Sequence, residues 1–483
     1  MKEKNVKLNY IYNVAYQILV ILTPLLTAPY IARVLKSKGI GVLGYVTAIA
    51  AFFIIFASLG TSTYGQREVS YVQSDIFKRS VVFFNTLIFR CTTTFIFLVI
   101  YGIMIFTYHP DWMIIYVIQL IEILNVAFDT SWFLQGLEEF GKVVGRNAIF
   151  RIINLIMVFT LIKKPEDLAL YAAAQALITM AGHVSLWPYL PKYLCKVPKE
   201  ALSPFKDTRI ILGLFLPTFA VQFYQYLDKI MLKLITHNMD EGGYYEQTMR
   251  IVRLVLALVT AMATVMVPRI GHYFKQGDKA AIKRAMYKVY QFSWFLGLPL
   301  MFGVFGIAGN FIPWFYGEGY DKVIILLRIC SGLTVAMSIA NVTGIQYLVP
   351  TKREKLYTRT VLFGAFVNIA LNFVFIPKLA SAGAALASVV AESSIAILQL
   401  IYVRGELDIR RILKSSVKYL IASTLMLMLL LMVGRYLPAT ILSTFVMIIT
   451  GALVYFGLLV LFADEFFIDN AKHLIKKVLM KFR

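Results

Sequence analysis

The chain reads as an all-α, polytopic membrane protein of about fourteen transmembrane helices. Composition predicts this first. Of the 483 residues, 59% are hydrophobic and 15% charged, with a mean hydropathy of +0.73, against roughly 45–50% and 25% in a soluble domain. A larger core cannot absorb the excess, because soluble interiors stop growing and split into domains. The second observation is that the apolar residues fall in runs near the ~20 residues a bilayer-spanning helix needs. The third is that short basic segments separate those runs. Soluble enzyme folds are excluded on these grounds.

In chain order the apolar runs cover 9–33, 40–62, 81–107, 113–135, 145–163, 168–190 and 209–236. They continue over 243–267, 287–310, 322–348, 357–376, 380–402, 416–437 and 439–463. Charge clusters and Gly/Pro turns end most of them. The eleventh and twelfth runs, and the thirteenth and fourteenth, are parted only by short turns at Pro377 and Pro438, so they read as helical hairpins. The basic start Met1-Lys2-Glu3-Lys4 leads into the first run. Its length predicts a full span rather than the short core of a cleavable signal.

Direction follows from alternate loops. With the N-terminus inside, Lys and Arg favour the inner segments over the outer ones about fourfold, which is the cytoplasmic bias. Both ends are therefore expected in the cytoplasm. The longest connections, around Pro191–Thr208 and Gly271–Tyr287, are basic and too short to be folded domains. Whatever chemistry the chain performs is expected between its helices.

The formal charge of +22 does not indicate nucleic acid, since the basic residues are dispersed among loops and no nucleic-acid motif accompanies them. Cys91, Cys195 and Cys330 have no close spacing, and His109, His183, His237, His272 and His473 are scattered. Neither a disulfide framework nor a metal site is expected, no cofactor is implied, and no nucleotide-binding motif is present.

Ionisable residues within spans cost a few kcal/mol or more unless they face a cavity or a partner. This chain carries Arg90 in the third run, Glu122 and Asp129 in the fourth, and Arg146 and Arg151 at the fifth. Asp228, Lys229 and Lys233 lie in the seventh, Glu246, Arg250 and Arg253 in the eighth, Arg328 in the tenth and Glu392 in the twelfth. Several recur every three to four residues, which places them on one helix face. Glu122, Asn125, Asp129 and Trp132 do so, as do Gln222, Gln225, Lys229 and Lys233, and also Asn147, Arg151 and Asn154. In the eighth run Glu246, Arg250 and Arg253 share a face. Facing polar stripes describe a water-filled cavity. The candidate cavity cations are Arg250, Arg253, Lys229, Arg90 and Arg151; the first three lie in the middle to outer part of their spans and suit an anion such as a phosphate or pyrophosphate. The candidate gating or ion-pair residues are Asp129, Glu122, Glu246, Asp228 and Arg33. The plainer alternatives are an ion-pair network of Arg90, Asp129 and Arg151, partial neutralisation of Arg250 by Glu246, and Trp132 as packing rather than a sugar platform.

Two stretches carry a family resemblance. One is Pro29-Tyr30-Ile31-Ala32-Arg33-Val34-Leu35, followed by Gly39, Gly41, Gly44-Tyr45, Phe52-Phe53, Gly60 and Gly65-Gln66-Arg67-Glu68. The other is Asp129-Thr130-Ser131-Trp132-Phe133-Leu134-Gln135-Gly136-Leu137-Glu138. The chain resembles bacterial Wzx-type polysaccharide flippases of the MATE-like multidrug/oligosaccharidyl-lipid/polysaccharide exporter superfamily. Lys164, Asp167-Leu168, Tyr171 and Val267-Pro268-Arg269 add to it. Lys36 departs from it, because such proteins more often have glycine after that leucine.

The resemblance implies two six-helix lobes, residues 1–200 and 201–404, around a central cavity, with two further helices and a basic tail over 405–483. It implies a bacterial cell-membrane transporter, not an enzyme. Such a protein carries a lipid-linked oligosaccharide, typically on undecaprenyl pyrophosphate, from the inner to the outer leaflet for capsular, exo- or O-polysaccharide synthesis. Membrane lipids are its surroundings, and a polysaccharide polymerase and glycosyltransferases are the further partners implied. Rival readings are a flippase for another cell-wall precursor, a cation-coupled drug exporter, a membrane scaffold, and a glycosyltransferase or polymerase. The drug exporters usually have an acidic residue in the first span, and 9–33 contains none.

Overall fold

The computed structural model describes residues 6–470 and 472; their regular structure is all helical, with no strand among them. The basic start Met1–Lys4 and the basic tail beyond residue 472 lie outside the described residues. Eleven helices among the described residues are long and apolar enough to cross a membrane. The number is twelve if Met239–Thr260 and Val265–Lys275, bent by 43°, form one span. Four of the fourteen expected runs account for the difference. The first two are two helices that meet at a kink and count together as one span, the seventh is helical without being one of the eleven, and the eighth is the bent pair.

The helices are α1 Val6–Ser58, α2 Thr61–Tyr71, α3 Ile76–Tyr108, α4 Met113–Phe128, α5 Ser131–Gly136, α6 Phe140–Leu161, α7 Leu168–Val184, α8 Thr208–Thr236 and α9 Met239–Thr260. There follow α10 Ala263–Lys275, α11 Lys279–Tyr316, α12 Asp321–Cys330, α13 Gly332–Thr343, α14 Glu354–Leu379, α15 Ser381–Val403, α16 Ile409–Lys414, α17 Val417–Tyr436 and α18 Ile441–Leu461. The chain divides into two compact units, Met1–Glu246 and Gln247–Arg483.

The kink that parts the two halves of α1 is at Lys36, with φ 58 and ψ 173. That region is essentially glycine's, and a side chain there costs about 1–3 kcal/mol. The departure at Lys36 therefore falls on the residue whose backbone most favours glycine.

Lipid supplies little hydrophobic drive for helices to associate, so close packing and hydrogen bonds must hold them. In the first unit α1 packs on α3, α4, α6 and α8. Buried small residues, Ala28, Ala32, Ala48, Ala50 and Ala57, let the neighbours approach. Aromatic rings join α1 to α8, with Phe52 on Phe223 and Phe56 on both Phe215 and Phe219 at 5.3–5.6 Å. The closest approach is between the backbones at the kink and at the start of α9. A Cβ on Gly41 would lie 1.8 Å from the Met239 carbonyl oxygen, and one on Gly243 2.0 Å from that of Ser37. The Ser37 hydroxyl donates to Asp240 across the same contact. These contacts explain why α8 and the start of α9 belong to the same compact unit as α1.

In the second unit α14 pairs along its length with α15 through Gly364, Ala365, Asn368 and Asn372 on one side. Gly383, Ala384, Ala387, Ser388 and Ala391 face them. The hairpin reverses at Ala380, φ 51, one residue past the end of α14. Pro377 is inside α14, not at the turn, because the φ its ring fixes is itself helical and the chain does not reverse until Ala380. A second core gathers Tyr290, Trp294, Tyr347, Tyr419 and Tyr455 around α11, α17 and α18.

Candidate functional site

The fourth apolar run breaks at Asp129, so Asp129 and Trp132 do not continue the face of Glu122 and Asn125. α4 ends at Phe128, Asp129 is extended with ψ 106, and a new short helix, α5, starts at Ser131. The physical reason is local. The Asp129 carboxylate accepts the Ser131 backbone N–H at 3.0 Å and its hydroxyl as well, a turn that competes with the helix. Trp132 is 1% exposed and stacks on Phe83 at 5.7 Å, so it is packing.

A helix that ends inside a membrane leaves carbonyls that water cannot satisfy. Here side chains from other elements take them. The Val126 carbonyl accepts Arg90 Nε, the Phe128 carbonyl accepts Trp187 Nε1 at 2.9 Å, and the Asn125 carbonyl lies 3.1 Å from His183 Nδ1. The rest of the Arg90 guanidinium reaches Ser62 at 2.8 Å, Thr61 at 3.2 Å and Asp129 at 3.4 Å. Arg90 is 3% exposed. It thus clasps α2, α3 and the α4 terminus together. Asn125 Nδ2 donates to Glu122 at 3.1 Å and to the Ala176 carbonyl at 3.2 Å, which ties α4 to α7. The sequence reading missed His183, Trp187 and Ser62. His183 and Trp187 are four residues apart, a spacing that would have flagged them as neighbours on one side of the sixth run.

Arg151, on α6, donates to the Val20 carbonyl of α1 at 3.2 Å and does not join Arg90 and Asp129. Arg33 is exposed on α1.

On the α8–α9 hairpin the sequence-expected residues do come together. Lys229 Nζ lies 2.7 Å from Glu246, both largely buried, and Lys229 also sits 5.7 Å from the Tyr226 ring centre. Asp228, 3% exposed, accepts the Tyr245 hydroxyl at 2.7 Å. Glu246 therefore neutralises Lys229 across the hairpin. The next turns of α9 carry Arg250, half-buried, and Arg253, exposed, whose Nε donates to the Met249 carbonyl at 3.2 Å. Among the described residues no group of His, Cys, Asp and Glu is placed to hold a metal.

Residues 6–274, more than half of the chain, match the family model described as "Polysaccharide biosynthesis protein". The chain belongs to that family. The Wzx-type resemblance seen in the sequence agrees with this membership. Residues 149–455 of this family member also match the model described as "Lipid II flippase MurJ". A putative O-antigen transporter of Escherichia coli K12 is 22% identical over 82% of this chain and 96% of its own length. One of Shigella dysenteriae is 22% identical over 73% and 88%. Among solved structures, the lipid II flippase MurJ in its inward closed conformation superposes with a TM-score of 0.71, covering 93% of this chain and 98% of its own, at 15% identity. An inward-facing MATE family multidrug transporter follows with a TM-score of 0.62 over 79% and 94%, also at 15% identity. These likenesses establish the fold. The protein is a multi-pass membrane protein whose family matches point to a transporter.

Proposed function

We propose that the protein flips an undecaprenyl-pyrophosphate-linked oligosaccharide repeat unit from the inner to the outer leaflet of a bacterial cytoplasmic membrane. The observation that carries this reading is the family match over residues 6–274, joined by O-antigen transporter relatives that align over most of the chain. Drawing a pyrophosphate and several sugars unaided through hydrocarbon is prohibitive. A wet path lined by cations replaces the lost hydration, while the isoprenoid tail stays in lipid. Arg250 and Arg253 are the residues assigned to the pyrophosphate, and Lys229, Arg90 and Arg151 serve the helices that frame the path. Two helical lobes rock about that path to give alternating access. Both termini face the cytoplasm, and a polymerase and glycosyltransferases act before and after the transport step.

The match of residues 149–455 to the lipid II flippase model favours a second reading, a lipid-linked peptidoglycan precursor as cargo. Both readings put a polyprenyl pyrophosphate against the same arginines.

The double variant Arg250→Gln/Arg253→Gln in proteoliposomes tests the assignment. Two lost charge-assisted contacts to phosphate predict an initial flipping rate lower by on the order of a hundredfold. Unchanged insertion and elution would accompany it. A Lys275→Gln/Lys283→Gln control should flip normally, since the basic inner loops set topology. Full activity in the arginine double variant would remove the pair from the path.

A further inference from the structure

The segment between α15 and α17 builds a basic cavity that the transport reading does not use. Asp408 caps α16 by accepting the Arg411 N–H at 3.2 Å, and its own N–H donates to the Tyr287 hydroxyl at 3.0 Å. The Arg411 guanidinium lies 4.5 Å from the Tyr287 ring centre. Ile412 is buried, and its carbonyl accepts Trp294 Nε1 at 3.1 Å. Three of these contacts fix a six-residue helix on α11.

The cavity beside it has a volume of about 570 Å³ and is lined by Arg410, Arg411, Lys414 and Lys418 with Asp408 and Gln291. Lys418 pairs with Asp464, which is 0% exposed and also accepts the Tyr419 hydroxyl at 3.2 Å. That pair leaves three cations against the single Asp408 carboxylate. Such a cavity favours a phosphate.

The surroundings say what carries the phosphate. Leu413 is 49% exposed on α16, and on α17 Val417, Leu420, Ile421, Leu425 and Met428 are exposed along one face. An apolar strip therefore runs from the basic rim into the span. A free anion would have no use for it, whereas a phospholipid matches both parts, with its head group in the cavity and its chains along α17.

We propose that this cavity binds the head group of an anionic membrane phospholipid and so seats the α17–α18 hairpin in the bilayer. Only the leaflet, the cytoplasmic one, rests on the orientation proposed above. The binding itself is independent of transport.

The test uses the purified full chain, stripped of lipid in detergent and titrated with phosphatidylglycerol, phosphatidylcholine or inorganic phosphate. Native mass spectrometry reads the bound lipid. Phosphatidylglycerol should bind in preference to phosphatidylcholine, and Arg410→Gln/Lys414→Gln should weaken it by about tenfold or more. Both side chains are exposed, and the single variant Arg410→Gln gives a milder version of the same loss. Lys275→Gln/Lys283→Gln should bind as the wild type does. Equal phosphatidylglycerol binding by the double variant would overturn the proposal. Displacement of the lipid by equimolar inorganic phosphate would do so too, since the strip would then contribute nothing. A failed flipping assay with this preference intact would count against the transport reading alone.

Discussion

Gly41→Ala should lower the stability of the protein by about 2–3 kcal/mol, as expected for overpacking a rigid contact. The added methyl would sit 1.8 Å from the Met239 carbonyl oxygen, and the obstacle is backbone, not the tip of a flexible side chain. The kink of α1 and the start of α9 must then separate by more than an ångström, which also breaks the Ser37–Asp240 hydrogen bond. Gly243→Ala meets the Ser37 carbonyl in the same way and should behave alike. Gly44→Ala is the matched control. It lies three residues further along the same helix with nothing within 4 Å of its Cβ position. Thermal unfolding in detergent checks the series. Equal midpoints for Gly41→Ala and Gly44→Ala would mean that the close approach does not exist.

Arg90→Met has the larger expected cost. It leaves the Asp129 carboxylate without its cation and the Val126 carbonyl without a donor, in a setting that water reaches poorly. Breaking a buried pair by removing one partner costs about 3–5 kcal/mol. The protein should accumulate poorly, or unfold at a clearly lower temperature. The double variant Arg90→Met/Asp129→Asn should recover part of the loss, because the uncompensated charge is gone. If single and double variants are equally impaired, Arg90 acts through Ser62 and Val126 and not through the ion pair.

The fold class was legible because lipid constrains composition: a chain that is 59% hydrophobic leaves a membrane as the only setting. The runs over 81–107 and 357–376, for instance, lie within α3 and α14. Lys36 was legible as a departure from a glycine, and the structure puts the kink there. The break at Asp129 was not legible, since Asp-Thr-Ser-Trp carries neither glycine nor proline, and the turn depends on a carboxylate folding back on Ser131. Pairing was legible only within one helix. Spacing set Glu246 beside Arg250 on one helix, and the structure adds a partner across the hairpin, Lys229, that spacing could not show. Likewise the sequence offered Arg151 as a member of an ion-pair network with Arg90 and Asp129, though its guanidinium reaches the Val20 carbonyl. A periodicity test reads one helix at a time, and the contacts that decide these roles run between helices.

Movement of a lipid-linked saccharide across a bilayer can be measured directly. The most direct measurement uses proteoliposomes containing an undecaprenyl-pyrophosphate oligosaccharide, with an outside enzyme that modifies its terminal sugar. Protein-free vesicles should protect the share of the substrate in the inner leaflet. Vesicles with the protein should lose that protection, and a lipid-linked muropeptide offered in parallel should stay protected. Loss of protection for the muropeptide alone would establish the second reading. Protection of both substrates by a folded, inserted protein would contradict a flippase function.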